Sequence, residues 1–210
     1  MEFFTREICV CAHLTQTRDA QRSCAEMRIS VNYATIKKTD VANGPGIRVS
    51  LFVSGCRHAC KGCFNAEAWD FSYGQPFTEE TEKEVLEALA PDYIRGFSVL
   101  GGEPLDPDNC ETVLTIIKKV KEACPEKDIW CYTGYVYDRE LLKREEEEPG
   151  KVLSAIFSCL DVLVDGRFVE EKKNLRLAFR GSENQRLIDM KKTRAAGHVV
   201  CLPEQEKGLK

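Results

Sequence analysis

Cys56, Cys60 and Cys63 stand at C-x3-C-x2-C spacing inside Cys56-Arg57-His58-Ala59-Cys60-Lys61-Gly62-Cys63-Phe64-Asn65, directly after the apolar run Ile47 to Val53. Three thiols packed this closely are dense for unrelated core cysteines. So short a loop turns them toward one inorganic centre. Three ligands leave one position of that centre open, and an open position is where chemistry occurs. Two metals compete for the pattern. A structural zinc takes four protein ligands, usually as two close pairs, and no second pair follows: Cys110, Cys124, Cys131, Cys159 and Cys201 are scattered singly. His58 offers a fourth zinc ligand, but it lies inside the loop, two residues from each of two cysteines. A [4Fe–4S] cluster would take the three thiolates and keep its fourth iron for a substrate or cofactor; the spacing favours this reading.

Other residues invite a chemical reading beside a plainer one. Gly62, between two of the thiols, lets the backbone approach a cluster or cofactor, and it reads equally as a turn glycine. Gly101-Gly102-Glu103-Pro104 follows an apolar stretch and exposes backbone groups to a ligand; its ordinary alternative is a strand-to-loop turn. Arg48, Arg167, Arg180 and Arg186 are able to meet a carboxylate or a partner, yet each alone reads as a surface ion-pair residue. Trp130, Tyr132 and Tyr135 shape either a cavity or the core. His58 reads as a neighbour that tunes or shields a cluster. His13 and His198 carry no case. Cys110, Cys124, Cys131 and Cys159 read as small core residues.

These residues need elements to hold them. Alternation marks a strand over 29–36, and β-branched and aromatic residues mark another over 48–54, which delivers the cysteine loop at its C-terminal end. Thr78 caps a helix to Ala90 with a stripe of Val85, Leu86 and Leu89. A strand over 96–100 precedes Gly101. Val113, Ile116, Ile117 and Val120 make the clearest helix, over 108–122, with Asp108 and Glu111 resembling a capping box. Further strands are expected over 128–132, 160–164 and 176–179, and further helices over 138–147 and 151–158. The acidic end of the first of these reads as a solvated face. From Val199 the chain reads as frayed. Strands alternating with helices imply an α/β fold around a parallel sheet. The chain is shorter than a complete eight-unit barrel needs, and about six units fit, as an open, incomplete barrel. The cysteine loop, Gly101–Pro104, Thr133-Gly134 and Asp165–Phe168 all follow strands, which gathers them at one end of that sheet.

Composition narrows the class. The 210 residues hold 43% hydrophobic and 30% charged residues, ordinary for a globular protein with one substantial core. The net charge of −4 argues against a broad nucleic-acid footprint. No apolar stretch reaches the length of a membrane span. Eleven cysteines, an odd number, without a secretory signal point to a reducing cytoplasm rather than to a disulfide framework. Residues 1–26 read apart from the rest: an extension without sustained periodicity, or a consequence of an early start, since Met27 would serve as a beginning. The domain is expected over 27–210.

C-x3-C-x2-C is the signature of the radical S-adenosylmethionine enzymes, and the chain resembles that superfamily. A wider set of segments resembles one family within it, the activating proteins of anaerobic ribonucleoside-triphosphate reductases. These are Asn43-Gly44-Pro45-Gly46-Ile47-Arg48, Leu51 to Cys56, Gly62 to Asn65, Gly101 to Pro104, Trp130 to Tyr135, Asp161 to Phe168 and Phe179 to Arg186. The resemblance covers about residues 31 to 190. It implies an open partial (β/α)6 barrel of the radical S-adenosylmethionine type, with Cys56, Cys60 and Cys63 each binding one iron of a [4Fe–4S] cluster. It implies S-adenosylmethionine on the fourth iron, touched by Gly62, Cys63 and Phe64, whose ring lies near the adenine, and by Gly101, Gly102 and Glu103 at the methionine amino group. It further implies reduced flavodoxin or ferredoxin as electron donor, and the large subunit of the reductase as the partner on which a glycyl radical is made. Such a centre is oxygen-sensitive, so an anaerobic setting is expected.

Overall fold

A computed structural model describes residues 31–147 and 151–203. The extension expected over residues 1–26 lies outside the described residues. Seven strands form one open sheet in the order β3-β1-β2-β4-β5-β6-β7. In chain order they are β1 (Asn32–Asp40), β2 (Ile47–Val53), β3 (Gln75–Pro76), β4 (Ile94–Gly101), β5 (Asp128–Tyr132), β6 (Val162–Asp165) and β7 (Arg186–Asp189). The helices are α1 (Glu79–Leu89), α2 (Cys110–Ala123), α3 (Leu142–Glu147), α4 (Val152–Cys159) and α5 (Met190–Ala196). A π-helical turn, Tyr137–Leu141, leads into α3. No helix among the described residues is long and apolar enough to cross a membrane.

The α/β expectation holds, and the sheet does not close. The parallel core is shorter than six units. β2, β4, β5 and β6 run parallel through three helical crossovers, while β1, β3 and β7 pair antiparallel at the edges. The reason at the first edge is chain length. Six residues join β1 to β2, and a parallel crossover needs a dozen or more. The strand expected over 176–179 is absent; that stretch is turn and bend around a single bridge residue, Leu177, and Phe179 takes a left-handed φ of 60°. The last strand is instead Arg186–Asp189, followed by α5. The segment read as frayed from Val199 pairs with β7 through Asp189 N to Val200 O and Leu202 N to Leu187 O.

Alternation along the strands gives the sheet two unlike faces. Val49, Leu51, Val53, Phe97, Val99, Ile129, Cys131 and Leu163 meet the helices, which contribute Val85 and Leu89 from α1, Val113, Ile116, Ile117 and Val120 from α2, and Ile156 from α4. All are buried, so the predicted helix stripes lie where expected, apart from a half-buried Leu86. The opposite face carries Arg48, Ser50, Ser98, Trp130 and Tyr132. Thr78 caps α1 as predicted, and Thr81 completes the reciprocal bond. The capping box predicted from Asp108 and Glu111 does not form. Asn109 is the cap residue of α2 and makes no side-chain cap bond; its amide Nδ2 donates to Ser54 O and Glu103 O.

Candidate functional site

The C-terminal ends of β2, β4, β5 and β6 surround one cavity of about 360 Å³. Its walls bring together Cys56, Cys60, Gly62, Cys63 and Phe64 from the first loop, Gly101, Gly102 and Glu103 from the second, and Thr133 and Gly134 from the third. Gly166 to Gln185, the long segment after β6, supplies the fourth side, including Phe168, Lys173, Leu175, Phe179 and Arg180. The expected cluster ligands and cofactor contacts, Cys56, Cys60, Gly62, Cys63, Phe64, Gly101, Gly102 and Glu103, all line this cavity, whereas Asp165 and Arg167 do not.

The cysteine loop is held by backbone first. Gly55 N donates to Ala68 O and Cys56 N to Trp69 O. Gly102 N donates to Val53 O at 2.7 Å and Glu103 N to Gly55 O at 2.8 Å, so the second loop lies directly on the first. Arg57 ties the loop outward, pairing with Asp106 and Asp108 and lying over the Phe71 ring. Ala59, between the first two thiols, has a left-handed φ of 47°, a strained geometry the surrounding bonds must maintain. Gly62 has φ 73°, where a side chain is disfavoured, so its glycine has a backbone reason.

The three cysteines are free and half-buried. Burial pushes the Cys56 thiol up to about 11 against the N–H groups of His58 and Ala59, with the Glu103 charge adding to the rise. Burial raises Cys60 too, opposed by the Phe168 N–H. Asn65 N donates to Cys63 Sγ at 3.4 Å. A backbone N–H thus bonds the Cys63 sulfur directly, and nearby N–H groups favour the thiolate forms of Cys56 and Cys60 against burial, an environment suited to an iron–sulfur cluster. Among the described residues no three His, Cys, Asp or Glu side chains converge on a single metal ion. A cubane makes a different demand, one thiolate per iron, and the three sulfurs on one cavity wall fit that demand better than they fit zinc. Phe64 is 85% exposed at the mouth, an unpartnered ring beside the third thiol.

Glu103 is 1% exposed and fully engaged. Its Oε1 accepts from Leu105 N at 2.9 Å and Thr133 Oγ1 at 2.8 Å, and its Oε2 from Gly134 N at 2.7 Å and His58 Nε2 at 2.9 Å. The carboxylate therefore braces three loops, while Gly101 and Gly102 present backbone to the cavity.

The arginines divide. Arg48, read from sequence as a surface ion-pair residue, is fully buried. It pairs with Asp128 at 2.5 Å, bonds Ser98 Oγ and Phe97 O, and lies over Trp130, because its position on β2 faces the sheet's inner side. Arg186 grips Asp165 and Asp138. Arg167 bonds His58 and Glu140. Arg180 lines the cavity. Tyr132 lines the cavity, Tyr135 packs edge-on to His58, and Trp130 joins a small cluster with Phe179. Cys110, Cys124 and Cys131 are buried as expected, and Cys159 is half-buried against the core. Sequence reasoning missed Trp69 on the cavity wall and Asn109 beneath the two loops; neither belongs to a motif that spacing would reveal.

Comparison with known proteins matches a family described as a 4Fe-4S single cluster domain over residues 42–188. The chain is 44% identical over 157 residues to the anaerobic ribonucleoside-triphosphate reductase-activating protein of Haemophilus influenzae, covering 74% of this chain and 96% of that one. It is 40% identical to the protein of the same name from Escherichia coli K12, with the same coverage. It is 41% identical to that of Enterobacteria phage T4, covering 75% of this chain and 93% of the phage protein.

Proposed function

The chain belongs to the anaerobic ribonucleoside-triphosphate reductase-activating proteins, and from that premise we propose that it cleaves S-adenosylmethionine reductively and generates a glycyl radical on that reductase. The observation that carries the reading is the shared cavity: three half-buried thiols on one wall, and the Gly101–Glu103 turn in backbone contact with their loop. We read the open sheet as the partial barrel of the radical S-adenosylmethionine type, and Cys56, Cys60 and Cys63 as the ligands of a [4Fe–4S] cluster.

When bound, the cluster and S-adenosylmethionine supply one-electron scission of the C5′–S bond and a 5′-deoxyadenosyl radical able to take a hydrogen atom from a glycine. The chain's own residues position and protect. Gly102 lets the turn lie against the backbone of the cysteine loop, where a Cβ would meet Gly55 O and Ala68 O, and Gly62 takes the left-handed φ that its place between two thiols requires. Phe64 offers a face for the adenine, and the backbone of Gly101 and Gly102 offers acceptors for the methionine amino group. Glu103 keeps that turn in place from below. Phe168, Phe179 and Leu175 give the far side an apolar wall that limits water. No side chain is needed as a general acid or base. The same reading assigns the protein to the reducing cytoplasm, with reduced flavodoxin or ferredoxin as electron donor.

The test is one anaerobic reaction containing reconstituted protein, S-adenosylmethionine, a reductant and the reductase large subunit. It is followed by EPR, with 5′-deoxyadenosine assayed alongside. A glycyl doublet that vanishes in Cys60→Ala supports the reading. Formation of 5′-deoxyadenosine with no doublet moves the reading to another partner, and neither signal from cluster-loaded protein defeats it.

A further inference from the structure

One side chain of the cysteine loop touches all the other loops of the cavity. His58 projects inward and its side chain is 7% exposed. Arg167 Nε donates to His58 Nδ1 at 3.0 Å, and a guanidinium only donates, so Nδ1 is the acceptor and Nε2 carries the proton given to Glu103 Oε2. The ring packs edge-on to Tyr135 with centroids 4.4 Å apart. Gly134 lies so close that a Cβ there would come within 2.3 Å of His58 Cδ2. Arg167 is steadied from behind by Glu140, whose other oxygen accepts from Val136 N. The imidazole thus contacts the loops that follow β4, β5 and β6 from within the loop that follows β2. With both ring nitrogens engaged, His58 has no lone pair left for a metal.

We propose that His58 is a positioning residue: through Glu103, Gly134 and Arg167 it fixes the cysteine loop against the Gly101–Glu103 turn, and so sets the open iron of the cluster at the right distance from the S-adenosylmethionine site. The inference rests on the reading of the cavity given above. It separates two properties that a merely structural residue would not separate. The three thiols are untouched by changes at position 58, so the cluster assembles. The turn and the loop lose their common brace, so the cofactor site loosens.

Three variants test it. His58→Phe keeps a ring without its hydrogen bonds. His58→Gln keeps one amide donor and one acceptor. Gly134→Ala leaves His58 in the sequence and pushes its ring aside. For each, iron and sulfide per chain, thermal midpoint, and the change in the reduced-cluster EPR spectrum on titration with S-adenosylmethionine are measured. The expected result is full cluster content in all three, with affinity weakened by about tenfold or more in His58→Phe and Gly134→Ala and by no more than about threefold in His58→Gln. A His58→Phe or Gly134→Ala protein that binds S-adenosylmethionine as wild type does overturns the proposal. So does loss of the cluster in parallel with affinity, which would make His58 an assembly residue. If His58→Phe does not fold, Gly134→Ala and His58→Gln decide the matter. Wild-type protein with a full cluster and no spectral response overturns the reading of the cavity itself, and this proposal with it.

Discussion

Replacing Gly102 by alanine is the sharpest probe of whether the turn and the cysteine loop form one unit. A Cβ at position 102 would lie 2.5 Å from Gly55 O and 2.8 Å from Ala68 O. Ordinary contact begins at 3.4 Å, so the nearest approach must open by 0.9 Å. Neither obstacle is the end of a flexible side chain. Gly55 O already accepts from Glu103 N, and Ala68 O from Gly55 N, so relief at one carbonyl pulls on the bonds that hold the loop. Overpacking of this kind costs about 1–3 kcal/mol. Its functional cost is larger, because a displacement of about 1 Å between reacting groups lowers rates by roughly 10²-fold. The expected phenotype of Gly102→Ala is wild-type iron content with 5′-deoxyadenosine formation reduced about 10- to 100-fold, measured anaerobically with excess reductant. Gly197→Ala is the control. Gly197 ends α5 at φ 71° with nothing within 4 Å of a new Cβ, so it loses about 1 kcal/mol of stability through backbone strain alone. Turnover at the wild-type rate in Gly102→Ala would refute the argument, as would an equal loss of turnover in Gly197→Ala.

Arg48→Met tests the buried inner face. The methionine fills space but removes the donor that serves Phe97 O, Asp128 O and Ser98 Oγ, which keeps its own bond to Asn43 O, and it leaves the Asp128 carboxylate with the exposed Arg95. Urea unfolding should show a loss of about 2–4 kcal/mol, and a loss below about 1 kcal/mol would mean that water replaces the guanidinium at little cost. Asp161 gives the acid limb. Burial pushes its carboxyl up, but Lys191, the Ile129 N–H and Lys121 outweigh that and hold it below its ordinary value. A depressed folded value stabilises above the unfolded carboxylate range and is lost as pH falls through the folded value. Wild-type urea midpoints should therefore fall below about pH 4, and Asp161→Asn should show a shallower fall over that range. Identical pH slopes for the two proteins would discard Asp161 as a contributor.

How much of this was written in the sequence depends on whether a contact is local. The thiol spacing, the Thr78 cap and the Val113–Ile116–Ile117–Val120 stripe all act within a turn or two of chain, and each appears in the fold where its spacing puts it. Arg48 had a local signal too, since it alternates with Val49 and Leu51 along β2. The alternation tells two faces apart without telling that the polar one is buried. Asn109 and Glu103 draw their bonding from residues far along the chain, so a capping pattern at Asp108 and Glu111 was the only visible candidate. The segment after β6 is held by side chains bonding to backbone. Gln185 accepts from Gly181 N and Ser182 N, Asn184 donates to Arg167 O, and Ser182 Oγ accepts from Val169 N. Such bonds leave no periodicity, and the apolar residues of 176–179 read as a strand for that reason.

The antiparallel edges explain why so few parallel strands suffice to enclose a site. A parallel strand brings only its C-terminal end to the cavity. An edge strand running the other way brings its beginning. β7 starts at that same end, where Arg186 binds Asp165 at the close of β6 and also reaches Asp138. β1 does likewise on the other flank, with Asn32 O accepting from Ser54 N just before the first thiol. Each flank of the parallel core is therefore finished by a strand whose first residues clamp a cavity loop instead of adding another. Breaking the clamp at Asp165 should then loosen the 166–185 segment on the cavity's far side and weaken the Arg167 bond to His58, while β1, Arg57 and the His58–Glu103 bond still hold the cysteine loop.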